Sequence, residues 1–127
     1  MSKKEIATSQ APAALGPYSQ GISTGNLVFI SGQLPIDPST GSLIEGPISE
    51  QTKLIMKNIE AVAKEAGSSL DHIVKTTIFL TDLGNFKEVN DAYGAFFKDV
   101  PPARATVQVA ALPLGASVEI EAIAVLG

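Results

Sequence analysis

Only two stretches of this sequence have the periodicity of an amphipathic helix, and both are flanked by stretches with the composition of β-strands. In the first, apolar and small residues recur at helical spacing between Gln51 and Ala66. Ser49 suits the N-cap, and Gly67 suits the position after the last turn. The second helix is expected over residues 85–98, and its inner stripe consists of four aromatic residues and one valine: Phe86, Val89, Tyr93, Phe96 and Phe97. We interpret that stripe as ordinary core packing against a sheet.

The segments around these helices predict five strands. Residues 17–23 and 27–33 flank the turn sequence Thr24-Gly25-Asn26, so they predict a hairpin. Further strands are expected over residues 73–80, 103–110 and 118–126, an extended stretch over 8–16, and a loop rich in proline and glycine over 34–47. The order β-β-α-β-α-β-β predicts an α+β fold: one mixed sheet with two helices packed on one face, in a single domain spanning residues 1–127.

The other face of that sheet has no helix to cover it. Along the last predicted strand Glu119, Glu121 and Ile123 alternate with apolar residues, and in residues 73–80 Lys75 and Thr77 alternate with Val74, Thr76 and Ile78. Apolar residues therefore remain on both faces, and mean hydropathy is high for a small domain at +0.24. We expect the second face to pack on other copies of the chain in a closed cyclic oligomer.

Composition removes several classes of site. There is no cysteine, and the single histidine, His72, is interpreted as a structural or surface residue, so no thiol nucleophile or multi-histidine metal site is expected. No nucleotide-binding or hydrolase motif is present, and we expect neither metal nor cofactor. We expect no signal peptide and no membrane span, and a cytoplasmic location. A net charge of −4 with thinly spread lysines disfavours nucleic-acid binding.

Arg104 is the only arginine among nine basic residues, and it follows Pro101-Pro102-Ala103 at the start of a predicted strand. A guanidinium presents a rigid fork of donors that matches a carboxylate through two parallel hydrogen bonds. The residues alone leave two interpretations open, a carboxylate-binding group or a structural salt bridge to one of 13 acidic residues. Composition by itself favours the salt bridge.

Other candidates each have a structural alternative. Glu119 and Glu121 share one strand face, where one could orient or deprotonate a water; a solvated or interface face is the alternative. Glycine in Ile30-Ser31-Gly32-Gln33 lets another group approach the backbone, or simply forms a bulge. Tyr18 either walls a pocket or packs in the core, and Asn90 on the second helix either serves a site or faces solvent.

Several motifs spread over nearly the whole chain match a known family. They are Gly16-Pro17-Tyr18-Ser19-Gln20, Ile30-Ser31-Gly32-Gln33-Leu34-Pro35, Val74-Lys75-Thr76-Thr77-Ile78-Phe79-Leu80, Pro102-Ala103-Arg104-Ala105-Thr106-Val107 and Val118-Glu119-Ile120-Glu121-Ala122. The sequence resembles the RidA family, also called YjgF or L-PSP, the reactive intermediate deaminases. The last two motifs form the family's signature stretch and are highly specific.

The resemblance implies a chorismate-mutase-like fold and a homotrimer with active sites between subunits. It implies hydrolysis of 2-iminobutanoate or 2-iminopropanoate, released by pyridoxal-phosphate dehydratases, to a 2-oxo acid and ammonia. It also implies that Arg104 binds the substrate carboxylate and that Glu119 positions the water. Tyr18, Ser31, Gly32 and Asn90 would contribute to the pocket. Thr106 would do so too, at a position where some members carry cysteine.

Two other functions remain open at this point. The same cleft could belong to a regulatory module that binds small carboxylic acids without turnover. An endoribonuclease that inhibits translation, an activity attributed to some relatives, is disfavoured by the acidic pI of about 4.8.

Overall fold

The computed structural model describes residues 2–127. In this range, three single-turn 3-10 helices lie in the connections between eight strands and two α-helices. In chain order the strands and α-helices are β1 (Lys4–Ile6), β2 (Gly21–Thr24), β3 (Leu27–Gln33), β4 (Ile36–Asp37), β5 (Ser42–Leu43), α1 (Ile48–Glu65), β6 (Ile73–Leu80), α2 (Phe86–Gly94), β7 (Ala103–Gln108) and β8 (Val118–Val125). No helix in the described residues is both long and apolar enough to cross a membrane.

Six of the strands form one mixed sheet in the order β1-β2-β3-β8-β6-β7, and β4 and β5 form a separate small hairpin. The β6–β7 pair is parallel and is connected through α2, whereas the other pairs in the large sheet are antiparallel. This arrangement confirms the predicted α+β class with one large mixed sheet. The β4–β5 hairpin lies within residues 34–47, where only a loop was predicted. It also makes β7 an edge strand.

The core lies between this sheet and the helices. Ile55, Met56, Ile59 and Val62 of α1 have no exposed surface, as expected for the inner stripe of an amphipathic helix. On β8 the residues Val118, Ile120, Ala122 and Ala124 are buried, while Glu119, Glu121 and Ile123 alternate with them on the other face. The predicted alternation on this strand is therefore confirmed.

The structure corrects the start of the chain. Residues 17–20 are not in a strand, because Gly16 has a φ of +125° and the Tyr18 amide donates to the Gly16 carbonyl in a tight turn. The side chain of Gln20 instead secures the preceding segment, accepting from the Thr8 amide and donating to the Pro12 carbonyl, both at 2.7 Å. The short strand β1, hidden in a lysine-bearing terminus, was not predicted.

The helices also differ from the prediction at their ends. Ser49 lies inside α1 and Pro47 occupies the N-cap position, because the buried Ile48 is already helical. The second helix ends at Gly94 rather than at residue 98, after which two turns complete the segment. Val74 was expected beside Thr76 but is 44% exposed, because the pairing of β6 with β8 shifts by one residue between Ile73 and Lys75.

Candidate functional site

Arg104 lies on edge strand β7, directly beside Thr76 of β6. Thr76 is fully buried beneath α2, so the face of the sheet that carries Arg104 is the helix-covered face. The Arg104 side chain is nevertheless exposed, because it sits at the outer edge of that layer. It therefore combines fixed surroundings with access to solvent.

Three side chains of α2 surround the guanidinium of Arg104. Nη1 donates to the Oδ1 of Asn90 at 2.5 Å. The Cζ atom lies 5.6 Å from the ring centre of Phe86 and 5.3 Å from that of Tyr93, both within cation–π range. Because α2 has 3.6 residues per turn, positions 86, 90 and 93 share one side of the helix.

None of these contacts neutralises the charge. The ion pairs found within residues 2–127 all involve lysines, namely Lys53–Glu50, Lys64–Glu60 and Lys87–Asp91. The structural salt bridge that composition favoured for Arg104 is therefore absent from the described residues. The guanidinium of Arg104 is therefore charged, exposed and held in one orientation, and a group of this kind can bind an anion.

Thr106 lies two residues beyond Arg104 on the same face of β7. Its hydroxyl oxygen is buried and has no hydrogen-bond partner within residues 2–127. A buried hydroxyl without a partner is unfavourable, but this oxygen has almost no accessible surface, so a ligand would reach it only if neighbouring side chains moved.

Glu119 lies on the opposite, helix-free face, against the backbone of Gly32. A Cβ atom placed on Gly32 would lie only 2.6 Å from the Oε2 of Glu119, so only glycine lets the carboxyl group come this close. The pairing of β3 with β8 skips Ser31 and Gly32 between Ile30 and Gln33. This irregularity makes room for the carboxylate beside the strand.

The carboxyl group of Glu119 opens into a cavity of about 620 Å³. Tyr18, Ser31 and Gly32 line the cavity together with apolar side chains from three loops, including Leu15, Leu34 and Leu114. Leu15 and Leu114 are 79% and 68% exposed, and Leu114 has a φ of +59°, which is unfavourable for a leucine. The Ser31 hydroxyl donates to the Ser19 carbonyl at 2.5 Å, which holds the Tyr18 segment at the rim.

The surroundings of Glu119 disfavour its charged form. Partial burial raises the pKa of the Glu119 carboxyl above its usual value, and the negative charge of Glu121 raises this pKa further. A carboxylate whose pKa is raised toward neutrality is a better proton acceptor from water.

The predicted site residues thus fall into two groups. Tyr18, Ser31, Gly32 and Glu119 meet in the cavity on the helix-free face. Arg104, Asn90 and Thr106 lie together at the edge of the helix-covered face. Since the two groups occupy opposite faces of one sheet, one chain does not bring Arg104 and Glu119 to the same small ligand.

Sequence reasoning missed two contacts of Arg104. Phe86 and Tyr93 were both assigned to the core; this is confirmed for Tyr93, which is 4% exposed, but Phe86 is 40% exposed. Both rings also lie beside the guanidinium, which was not predicted. Their spacing around Asn90 was the available signal, since all three positions fall on one side of a helix. Sequence reasoning also did not predict that Leu15 and Leu114 line the cavity around Glu119. Only Leu114 stands out in the structure, through its positive φ.

Comparisons with known proteins identify the family to which the chain is similar. The profile of the family described as endoribonuclease L-PSP matches residues 8–126. The 2-iminobutanoate/2-iminopropanoate deaminase of Mus musculus is 48% identical over 125 residues, which cover 98% of this chain and 93% of the mouse protein.

Two solved structures have the same fold. The Rid-family protein YyfA from Yersinia pestis, described as of unknown function, is 52% identical with a TM-score of 0.95, and the match covers 98% of this chain and 99% of that one. TdcF from E. coli, solved with bound serine, is 43% identical with a TM-score of 0.93, covering 98% and 99% of the two chains. The fold is therefore the chorismate-mutase-like α+β fold that the resemblance implied.

Proposed function

The chain belongs to the endoribonuclease L-PSP family, which includes the Rid proteins, and from that premise we propose that it is a 2-imino acid deaminase. It would hydrolyse 2-iminobutanoate and 2-iminopropanoate to the corresponding 2-oxo acids and ammonia. The name of the mouse relative supports this substrate class.

The main observation behind the proposal is that the guanidinium of Arg104 is exposed and forms no ion pair within the described residues. A 2-imino acid carries its carboxylate next to the reacting carbon, so binding the carboxylate also places that carbon. Two parallel hydrogen bonds from one guanidinium fix both the position and the orientation of such an acid.

We propose that the complete site forms between copies of the chain in a homotrimer. The guanidinium at the edge of β7 would then face the cavity around the partner subunit's Glu119. The exposed apolar rim of that cavity, with Leu15 and Leu114, supports this arrangement, because burial against another copy would remove it from water.

The reaction then needs few protein groups, because an imine carbon is already electrophilic. Glu119 accepts a proton from a water whose oxygen bonds to the imine carbon and returns this proton to the nitrogen, giving a tetrahedral carbinolamine with one hydroxyl and one amino group. Glu119 then accepts the hydroxyl proton and passes it to the amino nitrogen, so the carbon–nitrogen bond breaks, ammonia leaves and the carbonyl forms. Arg104 keeps the carboxylate in place, and the apolar cavity wall limits access by other water molecules.

The test adds the protein to a threonine dehydratase reaction containing semicarbazide and measures semicarbazone formation and ammonia release. The wild type should suppress semicarbazone formation. Arg104→Ala should lose about 100-fold or more in kcat/KM, because a charge-assisted bidentate contact disappears.

Two variants control for charge and fold. Arg104→Lys keeps the charge but loses the fork, so it should recover only part of the activity. Lys64→Ala removes one exposed positive charge from α1, away from both groups of site residues, and should match the wild type. Equal activity of Arg104→Ala and the wild type contradicts the proposal.

Calorimetry distinguishes the deaminase from the alternative, a module that binds small carboxylic acids without turnover. Binding of 2-oxobutanoate without any imine hydrolysis would favour it. RNA cleavage by nuclease-free protein, lost in Glu119→Gln, would favour the nuclease activity in the family's description, although the net charge of −4 argues against RNA binding.

A further inference from the structure

Arg104 is held by one side of α2 rather than by its own strand. The Asn90 side-chain oxygen accepts from Nη1 at 2.5 Å, and the rings of Phe86 and Tyr93 lie 5.6 and 5.3 Å from Cζ. An arginine side chain has four rotatable bonds, so an exposed one samples many directions. Three contacts from a single rigid element reduce that sampling before any ligand arrives.

Tyr93 is itself fixed from behind. Its hydroxyl shares a 2.6 Å hydrogen bond with the Oγ1 of Thr76, which is fully buried. Its ring lies 5.0 Å from that of Phe97, and the whole residue is 4% exposed. The surface under the guanidinium therefore cannot swing away, and the contact chain runs from the sheet through Tyr93 to Arg104.

All three contacts are uncharged, and this affects what the guanidinium can bind. A carboxylate at position 90 would form a salt bridge with Arg104 and compete with any bound acid. The one acidic neighbour of Asn90 in sequence, Asp91, instead pairs with Lys87 at 2.9 Å. Amide and ring contacts orient a cation while leaving its charge available.

We propose that Phe86, Asn90 and Tyr93 are positioning residues that orient Arg104 without neutralising it. They leave its free N–H edge available for the carboxylate of a 2-imino or 2-oxo acid. This inference rests on the proposed function and assigns Asn90 to the guanidinium rather than to direct substrate contact.

The principal test replaces Asn90 with the near-isosteric aspartate. Asn90→Asp keeps the hydrogen-bond acceptor and adds a negative charge beside Arg104. The melting temperature should stay equal or rise, because a new ion pair forms. The affinity for 2-oxobutanoate, measured by calorimetry on the full protein, should fall about tenfold or more. Damage to the fold would instead lower both quantities together.

A second variant tests the aromatic contact. Phe86→Leu keeps apolar bulk at a partly exposed position and removes the ring. The affinity for 2-oxobutanoate should fall about three- to fivefold, the usual effect of losing an exposed cation–π contact. KM for the imine should rise by a similar factor, while kcat changes little, because Phe86 does not touch the reacting carbon.

The outcomes separate this inference from the proposed function. If wild type binds 2-oxobutanoate and both Asn90→Asp and Phe86→Leu bind it equally well, the positioning role is wrong and the deaminase proposal stands. If wild type neither binds 2-oxobutanoate nor hydrolyses the imine, the proposed function is wrong. Weaker binding with an unchanged melting temperature supports the positioning role.

Discussion

The two groups of site residues differ in how complete they are within one chain. Around Arg104 the α2 side chains already fill the contacts of the guanidinium, and only its outer edge is open. Around Glu119 the contacts are mostly missing, and a cavity of about 620 Å³ with exposed leucines surrounds the carboxyl group. This difference is the basis of the proposal that the Arg104 group binds the substrate carboxylate and that another copy of the chain completes the Glu119 cavity.

Among variants of the Glu119 group, Glu119→Gln is expected to have the largest effect on kcat. The amide cannot accept a proton from water, so kcat should fall about 100-fold. Binding of 2-oxobutanoate, which we propose to depend on Arg104, should remain within a fewfold of wild type. Loss of binding together with turnover would show that the two groups do not divide these tasks.

A smaller effect is expected for Gly32→Ala. The new methyl group would lie 2.6 Å from the Glu119 Oε2, so the carboxyl group must move. A flexible side chain can move at little cost to the fold, and we expect kcat to fall about tenfold while the melting temperature changes little. Gly94→Ala is the matched control, because a Cβ there meets no atom within 4 Å. If kcat is unchanged in Gly32→Ala, the position of the Glu119 carboxyl group does not matter for catalysis.

The smallest effect concerns pH. Burial and the charge of Glu121 raise the pKa of Glu119, so its basic form appears only at higher pH. In a plot of log kcat/KM against pH, the midpoint of the acidic limb should therefore lie above the usual glutamate pKa of about 4.3. Glu121→Gln removes the repelling charge, so the limb should move to lower pH while the plateau stays. A limb that does not move, or moves upward, argues that another group titrates.

Much of the fold could be predicted from local pattern. The predicted limits of 27–33 and 73–80 match β3 and β6, since alternation and turn residues bound both strands. The first predicted strand begins four residues too early, because Gly16 and Gln20 hold residues 17–20 in a turn and in long-range hydrogen bonds that no local pattern encodes.

The relation between the two groups could not be predicted. It depends on Arg104 pairing with Thr76 in parallel and on β6 lying between β7 and β8. Almost every residue of β7 is exposed, so the strand has no alternation from which its inner face could be recognised. The opposite faces of Arg104 and Glu119 follow from sheet order, which only the three-dimensional structure provides.

The central claim is that one copy supplies Arg104 and another supplies Glu119, and mixing two inactive variants tests it directly. Arg104→Ala and Glu119→Gln would be combined in equal amounts, unfolded and refolded together, and assayed for imine hydrolysis. With sites shared between neighbouring copies of a trimer, roughly one quarter of them would combine an intact arginine with an intact glutamate. Recovery of about a quarter of wild-type activity is predicted, and no recovery above the separate variants would contradict the account.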